Sequence, residues 1–174
     1  MEKLNNFFEK LNIIIGKILS IFMVLLIINV FYDVVSRYFF GGGSIALQEL
    51  EWHIFGIIIL YGMSYTLREE GHVRVDFLYN NFSPKTQAII NILGTIIFII
   101  PLAIFIIYGS YGFVMDSYTT NEISDDPGGL THRWIIKAMI PLSFLFLIIT
   151  SIGYVIKNII IFKENKKIKE DIEI

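Results

Sequence analysis

The chain has 174 residues, of which 55% are hydrophobic and 17% are charged. An ordinary soluble domain is roughly 45–50% apolar with about a quarter of its residues charged, so the composition favours a membrane protein. Cysteine is absent, which excludes disulfides, thiolate metal sites and cysteine nucleophiles. No phosphate-binding glycine loop, nucleophile triad or basic nucleic-acid patch is present, so neither enzymatic activity nor a nucleic-acid partner is expected.

Four apolar segments are each long enough to cross a hydrocarbon core, which takes about 20 residues in a helix. They cover residues 13–39, 46–67, 86–114 and 134–162. The sequence therefore predicts an all-α integral membrane protein with four transmembrane helices, forming one membrane domain over residues 1–174. Pro101 lies inside the third segment and is expected to kink it.

The first 17 residues carry apolar side chains three and four positions apart, while Lys3, Lys10 and Lys17 lie off that face or at its edge. This pattern is typical of an amphipathic helix in the membrane interface. A cytoplasmic extension of the first span fits the same pattern, and the sequence leaves both alternatives open. A secretory signal peptide is not expected, because no small-x-small cleavage site follows the apolar stretch.

The distribution of basic residues predicts the orientation. If both termini and the charged segment 68–85 share one side, that side holds 11 of the 14 Lys and Arg residues, and the other side holds Arg37, Arg133 and Lys137. Cytoplasmic loops carry the excess of basic residues in membrane proteins. Both termini are therefore expected in the cytoplasm, with the glycine-rich turn 41–43 and the loop 115–133 outside.

Charged and aromatic residues gather where the first two spans meet the outer interface. Asp33 and Arg37 are four residues apart and would pair on one helical face. Glu49, Glu51, Trp52 and His53 occupy the first turns of the second span, where acidic residues are favoured by the helix dipole and tryptophan suits the interface.

The same spacing could in principle place Glu49 and His53 in a proton relay or a pair of metal ligands, although no third ligand is apparent. An ordinary interfacial pair is the simpler interpretation. The small residues Gly56, Gly62 and Ser64 would let another helix approach the second span closely.

The loop 115–133 is acidic and contains the turn sequence DPGG at 126–129. Its carboxylates lack the spacing of a calcium-binding loop, so a solvated loop is expected. A haem anchor would need two histidines facing each other inside the bilayer, but only His53 lies near a span, at its outer end. No catalytic, metal or cofactor site is therefore expected. A haem-carrying redox anchor and a small homo-oligomeric channel remain as alternative functions.

Two motifs carry a resemblance to a known family. Residues 44–53 read SIALQELEWH and residues 68–76 read REEGHVRVD; both resemble the small membrane subunit of TRAP transporters, the DctQ-like family. Residues 126–130, 133–137 and 140–142 are similar to the branch associated with mannitol and chloroaromatic compounds or 2-oxo acids. Many members have tryptophan where this chain has Ala46, and Trp52 would supply the interfacial anchor here.

The resemblance implies a small permease subunit of the bacterial inner membrane, without a cofactor, in an ion-coupled system for uptake of an organic acid. It implies a large multispan subunit that moves as an elevator, a periplasmic substrate-binding protein and the surrounding lipids as partners. The residues expected at the partner interface or in the membrane interface are Asp33, Arg37, Glu49, Glu51 and Trp52 at the outer side, and His72, Arg74 and Asp76 at the cytoplasmic side.

Overall fold

The computed structural model describes residues 2–69, 79 and 81–172, and the regular elements among them are all helical. The elements are α1 (Glu2–Phe40), α2 (Ile45–Arg68), α3 (Pro84–Gly94), a π-helical turn (Thr95–Ile99), α4 (Ile100–Thr119) and α5 (Trp134–Ile172). The helix α3, the π-helical turn and α4 are consecutive and form the third span, Pro84–Thr119. Four helices are thus long and apolar enough to cross a membrane, which confirms the predicted fold class.

The helix α1 is continuous from Glu2 to Phe40, so the amino-terminal segment is an extension of the first span and not a separate interfacial helix. Its 39 residues extend to about 58 Å at 1.5 Å per residue, whereas the hydrocarbon core is only about 30 Å thick. Within the extension, Phe8 and Asn12 are buried against the rest of the chain. Asn12 donates a 2.9 Å hydrogen bond from Nδ2 to Oε1 of Glu69, just after α2.

The third span begins at Pro84, with Ser83 as the N-cap that accepts a hydrogen bond from the Thr86 amide. It ends at Thr119, five residues beyond the predicted boundary at 114. The π-helical turn lies directly before Pro101, where the Ile100 amide donates to the Thr95 carbonyl five residues earlier. Because proline has no amide hydrogen and its ring crowds the preceding turn, the helix widens at the position where the sequence predicts a distortion.

The central helix is α5, which packs against α1, α2 and the third span. The buried apolar core lies along it and consists of Leu67, Ala103, Phe144, Leu147 and Tyr154. Small side chains sit at the closest contacts, and Ser143 and Ser151 of α5 are fully buried. Such residues let helix backbones approach closely where no hydrophobic force drives helices together in lipid.

The predicted packing role of small residues on α2 holds for Ser64, which is fully buried. It does not hold within this chain for Gly56 and Gly62, since a Cβ atom added to either would meet no other atom within 4 Å. Those two glycines therefore lie on an open part of the α2 surface.

Candidate functional site

The last turns of α1 hold the first pair of predicted residues. Asp33 forms the expected ion pair with Arg37 one turn later. The Asp33 side chain is 1% exposed and that of Arg37 is 49% exposed, so the pair reaches from the protein to its surface. Asp33 Oδ1 is buried and has no hydrogen-bond partner among the described residues.

The connection between α1 and α2 is closed by backbone and amide contacts. Gly41 ends α1 in a left-handed conformation with φ of +64°, which glycine adopts without a steric penalty. Asn29 of α1 donates from Nδ2 to the Leu47 carbonyl at 3.0 Å. This contact fixes the start of α2 against α1 and thereby positions Glu49.

Glu49 joins α2 to the loop between the third span and α5. It is 7% exposed, and its carboxylate accepts hydrogen bonds from the Ser124 hydroxyl and, at 2.5 Å, from the Leu130 amide. Both oxygens are thus used by the loop. No hydrogen bond joins Glu49 to His53 within the described residues, although the two side chains interact electrostatically.

The loop that Glu49 holds has a defined fold. The Gly129 amide donates to the Asp126 carbonyl at 3.0 Å, and Gly128 has φ of +87°, as a type II turn with proline at its second position requires. The Ser124 amide donates to the Leu130 carbonyl at 3.0 Å. The DPGG sequence therefore brings Ser124 and Leu130 side by side, where one carboxylate can bind both.

A second carboxylate, Glu122, lies between two cations at the base of this loop. Lys137 of α5 donates a hydrogen bond to it, and Arg133 Nε lies 3.9 Å from its other oxygen. The hydrogen bond from Lys137 holds the pKa of Glu122 below its usual value. The Lys137 ammonium also lies 4.1 Å from the centre of the Phe113 ring, which adds a cation–π contact.

Trp52 and His53 stack at the same end of the bundle, with ring centres 3.9 Å apart. The Arg133 guanidinium lies 5.9 Å from the Trp52 ring. Glu51 and His53 each have one buried polar atom without a hydrogen-bond partner among the described residues. These atoms are Oε1 of Glu51 and Nε2 of His53. A polar cavity of about 420 Å³ lies between α2 and the loop; its lining includes Gln48, Glu49, Trp52, Asp125, Asp126 and Arg133.

At the opposite end, His72, Arg74 and Asp76 lie outside the described residues. The structure instead shows a buried contact that the sequence analysis missed. Arg68 is buried at the end of α2 and donates from one nitrogen to the carbonyl and the side-chain oxygen of Asn5, at 3.0 and 2.8 Å. Asparagines within an apolar helix face are a signal that could have indicated such contacts.

A similar pair of amides joins the third span to α5. Asn91 donates from Nδ2 to Oδ1 of the buried Asn158, and the same nitrogen donates to the Tyr79 hydroxyl, both at 2.9 Å. Among the described residues, no group of three or more His, Asp or Glu side chains is placed to hold a metal ion. The polar contacts described above therefore join helices to one another and to the outer loop.

Comparison with known proteins gives a consistent result. The family model described as "Tripartite ATP-independent periplasmic transporters, DctQ component" matches residues 14–160. Two Haemophilus influenzae proteins named as TRAP transporter small permeases are 31% identical over 134 residues and 29% identical over 97 residues. The first match covers 76% of this chain and 80% of the relative, and the second covers 56% and 58%.

A third similar protein is the "Sialic acid TRAP transporter permease protein SiaT" of Haemophilus influenzae, which is 25% identical over 115 residues. The match covers 66% of this chain but only 18% of that relative.

Proposed function

Because this chain belongs to the DctQ family of TRAP transporter components, we propose that it serves as the scaffold of a larger permease. It is a small permease subunit of the bacterial inner membrane, which it crosses several times, and it is a transport component, not an enzyme. In our proposal it packs against a large multispan subunit and enlarges the static part against which that subunit moves. The large subunit carries the substrate and the coupling ion.

The observation that carries this proposal is where the ionisable residues lie. The span centres 18–32, 54–67, 86–115 and 138–156 contain no Asp, Glu, Lys, Arg or His. Ion-coupled transport normally uses ionisable groups or broken helices near the middle of the membrane. A chain whose charges lie at the helix ends and join its own elements there is suited to support a transporter, not to form its pathway.

The surface offered to the large subunit is proposed to include α1. In the most apolar stretch of α1 no residue is buried within this chain. The unpartnered Asp33 Oδ1 and Glu51 Oε1 mark the outer end of this surface, because a buried polar atom without a partner costs about 1–3 kcal/mol. Arg37 and Trp52 are exposed beside them.

Glu49 differs from its neighbours, since both of its carboxylate oxygens are used by the chain's own loop. We therefore propose that it acts on partners indirectly, by fixing the loop. His72, Arg74 and Asp76 are proposed to contact the large subunit or lipid headgroups at the cytoplasmic side, on the basis of the sequence motif alone.

We propose that the outer loop faces a periplasmic binding protein that delivers an organic acid. Asp125 and Asp126 of this loop line the polar cavity beside α2. The family's description names periplasmic transporters, and one similar protein is named for sialic acid, itself an organic acid. The residues 126–142 that resemble the mannitol, chloroaromatic or 2-oxo acid branch suggest 2-oxo acids as the first substrates to test.

Proteoliposomes test the scaffold directly. The large subunit, reconstituted with a driving ion gradient and the binding protein, should take up labelled substrate only when this chain is also present. Equal uptake with and without the chain would refute the scaffold role.

A further inference from the structure

An apolar groove of about 680 Å³ runs along one side of the helix layer. Its walls are α2 and the third span, and its floor is α5. The side chains that line its deeper part include Met63, Ile99, Leu102, Phe144 and Leu147. Its volume falls in the range of small-molecule sites, about 300–1,000 Å³, and it is accessible from the side that would face lipid.

The groove has the length of one membrane leaflet. On the third span its lining begins at Ile90 and ends at Leu102, a rise of about 18 Å. Half of the hydrocarbon core is about 15 Å thick. On α2 the lining consists of Met63 and Leu67 near the carboxyl end of the helix, so the groove is confined to the half of the bundle that is predicted to be cytoplasmic.

The groove ends beside polar groups, and one basic residue lies close to that end in sequence but outside the described lining. Tyr79, Phe82 and Asn91 line its cytoplasmic end, and Lys85 lies at the start of the same span. The Lys85 side chain is exposed, with its ammonium 4.9 Å from the centre of the Phe162 ring. Basic residues between helices on the cytoplasmic side attract anionic lipid headgroups.

We propose that this groove binds one acyl chain of an anionic phospholipid from the cytoplasmic leaflet, with its headgroup near Lys85. An unfilled groove would forfeit dispersion contacts along its lining, and a flexible chain can fill an irregular slot. A transmembrane helix of a partner would run through both leaflets, whereas the groove ends near the middle of the membrane. The site is independent of the transport function proposed above.

The test uses the purified chain in bilayers that contain phosphatidylglycerol with a photoreactive diazirine in the middle of one acyl chain. After illumination, mass spectrometry locates the labelled residues. Labels are expected on Met63, Phe144 and Leu147 in excess over Ile27 and Phe31 of α1, which are exposed to lipid when the chain is alone. Equal labelling of the groove and of α1 would overturn the proposal.

Two glycines of the third span give a matched pair of variants. Gly94 lines the groove, and a Cβ atom there would meet no other atom within 4 Å, so the side chain of Gly94→Phe starts in open space and is expected to occupy the groove. In this variant the groove residues should no longer be labelled more strongly than the residues of α1. Gly109 is equally open but lies outside the groove lining. The variant Gly109→Phe should therefore keep the stronger labelling of the groove. Unchanged labelling in Gly94→Phe would contradict the proposal.

The headgroup is tested by competition. Unlabelled phosphatidylglycerol should suppress groove labelling more strongly than phosphatidylethanolamine does, and Lys85→Gln should remove that difference. Equal competition by both lipids in the unmodified chain would contradict the anionic preference.

A partner helix is the alternative occupant of the groove. If groove labelling disappears when the large subunit is bound, and groove residues cross-link to that subunit instead, the lipid site is overturned.

Discussion

Each of the three basic residues on the predicted outer side has a carboxylate partner. Arg37 pairs with Asp33, while Lys137 and Arg133 both approach Glu122. Three basic residues thus share two carboxylates, and the cluster of Arg133, Lys137 and Glu122 keeps a net positive charge.

Glu49 is predicted to determine the order of the outer loop. In Glu49→Gln the amide oxygen can still accept from the Leu130 amide and the amide nitrogen can donate to the Ser124 hydroxyl, so the loop contacts lose their charge assistance. Hydrogen exchange at the Leu130 amide should accelerate about tenfold, as the loss of charge assistance from its hydrogen bond implies. In the isolated chain Glu51→Gln should leave this rate unchanged, because no hydrogen bond joins Glu51 to the loop among the described residues. An equal effect of both variants would contradict the assignment.

The Glu122 contacts predict a dependence on pH. Since the pKa of Glu122 is lowered in the folded protein, its stabilising contribution is complete above the unfolded value, about 4.3. That contribution is lost as the pH falls further and the folded carboxylate takes up its proton.

Protection of the Arg133 amide, which donates to the Glu122 carbonyl, should therefore decrease below about pH 4.3 after correction for intrinsic exchange rates. The variant Glu122→Gln should have lower protection at neutral pH and no such decrease. Persistence of the pH response in that variant would assign it to another group.

Sequence spacing could predict the Asp33–Arg37 pair, since both residues lie on one helical face. It could not predict the partners of Glu49, which are 75 and 81 residues away in sequence. That contact depends on α2, the loop and α5 being packed together. The DPGG turn was recognisable, but only the packed bundle shows which side chain binds the loop that it closes.

At the scale of the elements, hydropathy predicts the four spans because long apolar runs leave few alternatives. Their boundaries depend on local contacts that hydropathy does not report. The third span continues to Thr119, beyond the apolar run. The amino-terminal extension continues α1, because Phe8 and Asn12 are buried against α5 and the end of α2, and amphipathic spacing alone could not distinguish that arrangement from an interfacial helix.

The contact between α1 and α5 at Gly153 is predicted to be sensitive to side-chain size. A Cβ atom at Gly153 would lie 2.5 Å from Cγ and 2.7 Å from Cβ of Phe8, atoms too near the backbone to move freely. Gly153→Val should therefore destabilise the chain by about 1–3 kcal/mol, as overpacking does. The measurement is thermal or denaturant unfolding of the purified chain in detergent micelles.

The control for this prediction is Gly112→Val, which changes the same residue type where no atom lies within 4 Å and should have a smaller effect. Adding Phe8→Ala to Gly153→Val should recover part of the lost stability, and a double-mutant cycle measures that coupling. If the effects of the two substitutions on the free energy of unfolding are strictly additive, the side chains at positions 8 and 153 do not contact each other.

At the scale of the whole molecule, contacts at the two ends establish which helix ends lie together. Arg68 contacts Asn5 and Asn91 contacts Asn158 at one end, while Glu49 contacts the outer loop at the other. The position of these ends relative to the membrane remains a prediction from the basic residues.

The absence of cysteine makes the predicted orientation simple to test. Single variants Asp125→Cys and Lys163→Cys place one thiol at each end. A membrane-impermeant maleimide should label intact spheroplasts at Asp125→Cys only, and inside-out vesicles at Lys163→Cys only. The reverse pattern would invert the topology.

The most direct test of the central claim, that this chain is a structural subunit of a larger permease, is co-purification. A tagged copy is expressed together with the proposed large membrane subunit, solubilised in mild detergent, and purified through the tag. The account predicts a stable complex of defined stoichiometry that contains both chains. Recovery of this chain alone, with the large subunit folded but unbound in the flow-through, would contradict it.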